Sequence, residues 1–496
     1  MFDVAVVGAG PAGLFAVLEV IRCSPPAAEP RVVLIDQGPS MEARELSETA
    51  PSAPGRRREW VRTHGLGGAG MYSDGKLIMD LDAGGHLREL SARTQQRLLR
   101  SVLNVIAEFG GMAQESGHDR EAAARFSSRC DAIGLTYKHY PVRHLGSQGV
   151  RQVIRNLAAH IEQSHRVNCM LGWRVDSINP VGRGFELVVR RSYDCCSGVG
   201  EEHAERTLLA RRVVLAVGKE GAAGDDTIAN RLGLKVDPDG NGICIGVRIE
   251  ARSSTVAPLV VATKDPKISQ MLPSGDKVKT HCFGHPGQVL MVRYHGQPLA
   301  GGQGVVEGGG DSSTFAVLVR EGRHHQWSWG TCWALMTKVA SLGDSLAVQS
   351  IGEFLGSSVP VREAPWERFA STLVPPGLHA DVRGWLDELG IGGAIRDFLL
   401  SLEGLARGLL LPDHLVFFPA IEWWMPRIKV SRAMETSVRG LYAIGDGAGI
   451  SQGIVQSAAT GIIAGRAIAR KLNQDGKVRS LSSDSAVIHD AAAITE

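Results

Sequence analysis

The segment that most constrains this chain is Gly8-Ala9-Gly10-Pro11-Ala12-Gly13, set between the apolar run Phe2–Val7 and the helical pattern Leu14–Arg22. Pro25, Pro26 and Pro30 mark a loop, a second apolar run covers Arg31–Ile35, and Asp36 closes it. Strand, glycine turn, helix and strand within about 35 residues is the context in which G-x-G-x-x-G marks a dinucleotide-binding crossover. A phosphate at a helix N-terminus meets free N–H groups and the positive end of the helix dipole. Gly8 permits the turn, Gly10 lets the backbone reach a pyrophosphate, and Gly13 lets helix and strand pack closely. Asp36, 23 residues after Gly13, is placed to accept ribose hydroxyls, and its charge would repel a 2′-phosphate. The site suits the adenosine half of FAD or NAD and not NADP.

The rest of the chain favours FAD. A simple NAD dehydrogenase would complete its nucleotide domain with further regular strand–helix units. Here the matching strand, Leu441–Ile444, comes more than 400 residues later, before Gly445-Asp446-Gly447 and a helical pattern over 454–472. Between them lie a polar, basic stretch over 40–64 containing Arg56-Arg57-Arg58, and a second glycine loop, Gly65–Leu77. Residues 87–164 read as mostly helical and 165–217 as β-rich, with strands at Glu186–Arg190 and Val213–Val217. Residues 236–430 hold seven of the nine tryptophans and short strands such as Ile243–Ile249 and Val289–Tyr294. The expected architecture is α/β: a discontinuous, Rossmann-like FAD-binding domain from 1–80, 145–235 and 431–475, a helical insert at 81–144, a sheet-rich substrate domain at 236–430 and a mobile tail at 476–496.

Charge and composition exclude other classes. With 54 Lys+Arg against 52 Asp+Glu, the net charge of +2 gives no basic footprint for nucleic acid. No stretch of about 18 apolar residues lacks Gly or charge, so no membrane span is expected. The apolar N-terminus carries Asp3, lacks a basic n-region and is broken by glycines, unlike a signal peptide. A cytoplasmic location is expected, with the eight cysteines reduced; none forms C-x-x-C and none joins a cluster with metal-ligand spacing. The 60 glycines in 496 residues, against a usual share of about 7%, suit turns and close approaches of the backbone.

Five blocks carry a family resemblance: Val7–Gly13 with Asp36, Gly65–Leu77, Arg212–Gly218, Lys279–Val292 and Gly440–Ile468. Together they resemble FAD-dependent oxidoreductases with a glutathione-reductase-type nucleotide domain, and more closely the bacterial FAD-dependent dehydrogenases, many without an assigned substrate. The resemblance implies that Gly8, Gly10 and Gly13 line the pyrophosphate and Asp36 the adenosine ribose. It implies that Gly67 and Gly68, with Ser73 and Asp74, wrap the inner side of the flavin, and that the Val175 backbone meets adenine. Gly218 would end the strand closing over the nucleotide, Asp446 after Gly445 would bind the ribityl chain or pyrophosphate, and the Gln452-Gly453-Ile454 amides would face the flavin pyrimidine edge. Lys76 could reach the flavin or an anionic substrate. In the middle block the group has a cysteine just before Pro-Gly-Gly; here His285 precedes Pro286-Gly287, and Gln288 replaces a glycine.

Flavin chemistry often adds one acid or base for the substrate's proton. His285 and His281 in the middle block and Glu422, just before Trp423 and Trp424, are the candidates. Cys282 and the Cys195-Cys196 pair read as inert, His324-His325 lacks a third metal ligand, and Trp327-Ser328-Trp329 matches only the start of a halogenase signature. The expected activity is hydride removal from a C–OH or C–N centre of a small polar metabolite onto flavin N5, with oxygen or another acceptor reoxidising the flavin. The alternatives are an NAD(P)H-using flavin monooxygenase or ene-reductase, and a non-redox protein with structural FAD. Oligomeric state is left open.

Overall fold

Continuous apolar runs, rather than alternating ones, mark strands buried on both faces. The computed structural model describes all residues except 25–28, 50–62, 82–84, 86, 88–89, 113, 193–203, 223–226, 238–241, 305–309, 323–326, 357–370, 374–376 and 492–496, with side chains also left aside at 46–49, 114–115 and 476–491. The strands of the first sheet are β1 (Phe2–Val7), β2 (Val32–Asp36), β3 (Val167–Leu171), β4 (Trp173–Val181), β5 (Gly184–Arg191) and β6 (Glu205–Leu215). The second unit contributes β7 (Ile243–Arg252), β8 (Lys277–Gly284), β9 (Gly287–Tyr294), β10 (Gln297–Gly304), β11 (Ser312–Arg320) and β12 (Leu415–Trp423), and β13 (Leu441–Ala443) returns to the first sheet.

β3, β2, β1, β6 and β13 run parallel in that order, with Val4 opposite Val32 and Arg212 and with Val213 opposite Leu441. The first half of β6, Glu205–Ala210, pairs instead with β5, which turns back antiparallel to β4. One long strand therefore belongs to both the parallel sheet and a three-stranded antiparallel meander. All five residues of β2 are buried, as the unbroken apolar pattern requires. This is a Rossmann-like α/β fold. Its first helix, Pro11–Cys23, packs along the last, Ile454–Ala491, at van der Waals closeness: a Cβ on Gly461 would lie 2.3 Å from the Ala12 carbonyl oxygen.

The second unit is an eight-stranded sheet in the order Leu378–His379, Ala347–Ser350, β12, β7, β11, β8, Lys267–Met271 and Thr136–Lys138. One face buries Ile245, Val247, Phe315, Val317 and Phe418 in an apolar core. On β8 the alternation puts Val278 and Thr280 inside, while Lys277, Lys279 and His281 are only half-buried. β9 and β10 form a two-residue hairpin in which His295 and Gly296 both have positive φ, the geometry of a type I′ turn.

Two segments differ from the sequence reading. The region read as mostly helical holds helices Ala92–Glu108, Arg120–Asp131 and Gly146–Glu162, but short strands Gln114–Ser116, Thr136–Lys138 and Val142–His144 separate them. Thr136–Lys138 is ordered by pairing with Lys267–Met271, a partner far along the chain that local periodicity does not register. The final helix continues beyond 472, through the stretch expected as a tail, to Ala491. Among the described residues, no helix is long and apolar enough to cross a membrane.

Candidate functional site

A cavity of about 950 Å³ opens at the C-terminal ends of the parallel strands, the usual ligand position in such sheets. Separated parts of the chain line it: the first glycine turn, Asp36, the 63–73 loop, β4, the segment after β6, and the segment from Gly445 to Ser457. Of the residues expected to hold a cofactor, Gly8, Gly10, Asp36, Gly68, Ser73, Val175, Gly218, Gly445, Asp446, Gly453 and Ile454 line this cavity.

The local geometry explains the residue types. Gly8 has φ +105°, and a Cβ there would lie 2.2 Å from the Ala216 carbonyl oxygen, so no larger residue fits without displacing the backbone of β6's end. Gly10 is the N-cap of the first helix, whose opening residues Gly10–Ala12 face the cavity. Asp36 does more than line the cavity. Its Oδ2 accepts from the Ala9 N–H at 2.8 Å, and its Oδ1 accepts from the Gly38 and Gly65 N–H groups at 2.9 and 2.7 Å. A carboxylate offers about four acceptor positions, and these three bonds leave one of them unused. Asp446 Oδ1 accepts from the Ser451 and Ser457 hydroxyls, each at 2.8 Å. Burial pushes the Asp446 carboxyl up, against the pull of Lys219 and the two serines.

Five expected cofactor residues stand behind the lining. Gly13 packs on the Gly8 carbonyl, where a Cβ would come within 1.9 Å. Gly67 donates its N–H to the Ala9 oxygen at 2.8 Å, tying the second glycine loop to the first. Gln452 donates from Nε2 to the Trp423 carbonyl at 2.7 Å. Asp74 and Lys76 belong to a buried ionic cluster: Lys76 lies 3.0 Å from Asp74 and 3.7 Å from Asp265, and donates to the Phe283 carbonyl. Asp265 in turn accepts from Lys267, the Tyr140 hydroxyl and the Phe283 N–H. Burial opposes the Lys76 charge, but Asp265 and Asp74 outweigh it and raise the ammonium above the usual lysine range. The cluster joins the second glycine loop to the segment around Phe283.

The three proton-transfer candidates also lie outside the cavity lining. His285 Nδ1 is 2.8 Å from the Ser313 hydroxyl. Glu422 is ion-paired with Lys279, and His281 Nδ1 is 3.7 Å from Glu422 Oε2. Burial opposes the Glu422 charge, but Lys279, and His281 once it is protonated in acid, hold the carboxyl well below the usual range. Burial pushes His281 down to about 3, so its imidazole is neutral at pH 7. The arginine run 56–58, Cys195, Cys196, His324 and His325 lie outside the described residues.

Several lining or supporting residues escaped the sequence reading. Lys219 lines the cavity directly after Gly218, and that adjacency was a usable signal. Tyr294 from β9 also lines it, as do His64 and Glu220, whose Nε2 and Oε2 are 3.4 Å apart. Arg44 carries no sequence signal. It is fully buried, donates to the Leu66 and Gly68 carbonyls, and lies 4.8 Å over the Tyr72 ring, bracing the second glycine loop.

Comparison with protein-family profiles gives no match, and comparison with curated proteins gives none. Among solved structures the chain is similar to glycine oxidase from Geobacillus kaustophilus, at 13% identity over 95% of each chain and a TM-score of 0.37. It is also similar to a flavoprotein/dehydrogenase from Cytophaga hutchinsonii, at 11% identity over 96% of this chain and 79% of that one, with a TM-score of 0.40. The p-nitrophenol 4-monooxygenase PnpA from Pseudomonas putida DLL-E4 matches at 11% identity over 95% and 79%, with a TM-score of 0.39. Likeness at this level says nothing about reaction or substrate.

Proposed function

We propose that this chain is an FAD-dependent oxidoreductase that takes a hydride from a C–OH or C–N centre of a small polar metabolite. The supporting observation is the convergence of the first glycine turn, Asp36, Gly68, Gly218, Gly445-Asp446 and Gly453-Ile454 on one cavity, although up to 446 residues separate them in the chain. Bound FAD would supply a two-electron acceptor. The N-terminus of the first helix suits the pyrophosphate, and Asp36 and Asp446 suit ribose and ribityl hydroxyls. The N-terminus of the last helix at Ile454 offers amides and a positive dipole end to developing negative charge. For the substrate's proton the candidates stay His285, whose Nδ1 is 2.8 Å from the Ser313 hydroxyl, and Glu422, ion-paired with Lys279, both outside the cavity lining.

The test is the visible spectrum of the purified protein, before and after denaturation and then on anaerobic addition of NADPH. Flavin bands released by denaturation and unbleached by NADPH are expected. Rapid bleaching would turn the reading to a monooxygenase or ene-reductase. A colourless protein that takes up no added FAD would overturn it.

A further inference from the structure

Two donors flank one indole, itself a donor, where the parallel sheet meets the second unit. Lys219 and Tyr294 line the cavity, and neither side chain has a hydrogen bond or ion pair among the described residues. The Lys219 Nζ lies 5.5 Å from the centroid of the Trp423 ring. Tyr294 meets the same ring edge-on, with centroids 4.6 Å apart and planes at 77°. Trp423 is 4% exposed, and its Nε1–H finds no acceptor among the described residues. The three residues come from three elements: the helical turn Gly218–Gly221 that follows β6, then β9 and β12.

The carboxylates nearby are engaged elsewhere. Glu422 is ion-paired with Lys279, Glu220 faces His64 at 3.4 Å, and Asp446 accepts from two serine hydroxyls at 2.8 Å. Burial pushes the Lys219 ammonium below the usual lysine range, with Asp446 and Glu422 pulling the other way. A half-buried cation beside a buried, unpaired N–H is the complement of an anion, because both lose hydration that only an acceptor restores.

We propose that Lys219, Tyr294 and Trp423 form an anion subsite that receives the carboxylate of an organic-acid substrate. This deepens the oxidoreductase reading and rests on it. The carboxylate would take a charge-assisted hydrogen bond from Lys219 and neutral ones from Tyr294 and Trp423, fixing one end of the substrate at the edge of the cavity. The same acceptor chemistry is present in the phosphates of FAD, and the two sources respond differently to substitution.

The experiment uses the full-length protein, with FAD content measured first for the wild type and for Lys219→Met, Lys219→Arg and Tyr294→Phe. Each holoprotein is then titrated with acetate and with benzoate, following the flavin's visible absorbance. A saturable perturbation by a carboxylate is expected in the wild type. Lys219→Met should weaken it about 10- to 100-fold, the loss of one charge-assisted hydrogen bond. Lys219→Arg should restore it to within several-fold, Tyr294→Phe should weaken it about 3- to 10-fold, and FAD content should be unchanged throughout. Absence of any perturbation, or equal carboxylate affinity in wild type and Lys219→Met, overturns the proposal. So does a Lys219→Met protein that loses FAD while its remaining holoprotein binds carboxylate as well as wild type, for then Lys219 serves the cofactor's phosphates. A wild type that takes up no FAD is recognised at the first step and removes the oxidoreductase reading together with this one.

Discussion

Substitution of Gly10 separates the cofactor's needs from those of the fold. Gly10 sits at φ −74° and ψ −177°, extended backbone open to any residue. A Cβ there would have Gly68 Cα at 3.9 Å as its nearest neighbour, an ordinary contact, with the open cavity beyond. In the apoprotein, Gly10→Ala gains roughly 0.4–1 kcal/mol by stiffening the unfolded chain and loses a comparable amount because alanine is a poor N-cap. The melting midpoint of the apoprotein should therefore stay within about 3 °C of wild type. The added carbon enters the space a pyrophosphate would use, and losing one charge-assisted hydrogen bond there weakens FAD about 10- to 100-fold. Gly8→Ala is the contrast. Its φ of +105° and the Ala216 oxygen 2.2 Å from the new Cβ put the cost on the fold itself. Backbone strain of about 1–2 kcal/mol and overpacking of about 1–3 kcal/mol should lower the midpoint by roughly 4–20 °C. Flavin absorbance per protein after gel filtration and scanning fluorimetry of the apoprotein read the two effects separately. A Gly10→Val protein with a full complement of FAD would refute the reasoning, as would a Gly10→Ala apoprotein that melts as early as Gly8→Ala.

Arg44→Met should leave the buried Leu66 and Gly68 carbonyls without their donor, at about 1–3 kcal/mol each, and reduce FAD retention because Gly68 lines the cavity; unchanged melting and retention would remove Arg44 as the brace of that loop. Gly461→Leu should force apart the first and last helices, since even a Cβ meets the Ala12 oxygen at 2.3 Å, and the overpacking cost of about 1–3 kcal/mol should appear in chemical unfolding; a wild-type midpoint would disprove the close approach. Burial lowers His281 to about 3 and, together with the Lys76 charge, lowers His144 to about 4, whereas both titrate near 6.5 when unfolded. Their contribution is complete above that value and is lost as pH falls toward 4, because only the unfolded chain takes up the protons. His281→Gln should flatten stability between pH 6.5 and 4, and an unaltered slope would count against a neutral buried imidazole.

What the sequence made legible was what local chemistry dictates. An apolar run, a glycine turn and a helix face leave a strict pattern, and β1, the first helix and β2 appear within three residues of where that pattern places them. The late strand and the Gly-Asp turn before Ile454 were legible for the same reason. Residues whose role depends on distant partners were not. Asp36 was readable as an acid at the right spacing, but its three backbone donors come from three separate positions that only the fold brings together. Arg44 lies in a polar helix with no feature to distinguish it, yet it is fully buried. His285 was singled out for its place in a motif, and the structure sets it against Ser313 rather than at the cavity, a matter of sheet register that no motif encodes. Lys219 and Tyr294 become neighbours of one indole only through the meeting of two sheets.

The central strand of the first sheet, β6, is flanked by β1 from the beginning of the chain and by β13 from near its end. On a ribosome these neighbours do not emerge together. At about 5–20 residues per second, roughly ten to fifty seconds pass between the appearance of Leu215 and that of Ser457. Throughout that interval the nascent chain presents an unpaired edge on β6 and half of a binding cavity, while all of the second unit but its Thr136–Lys138 strand is being made. Cofactor capture is thus a late event in biogenesis, and a chain released early would carry an open sheet edge with nothing to close it.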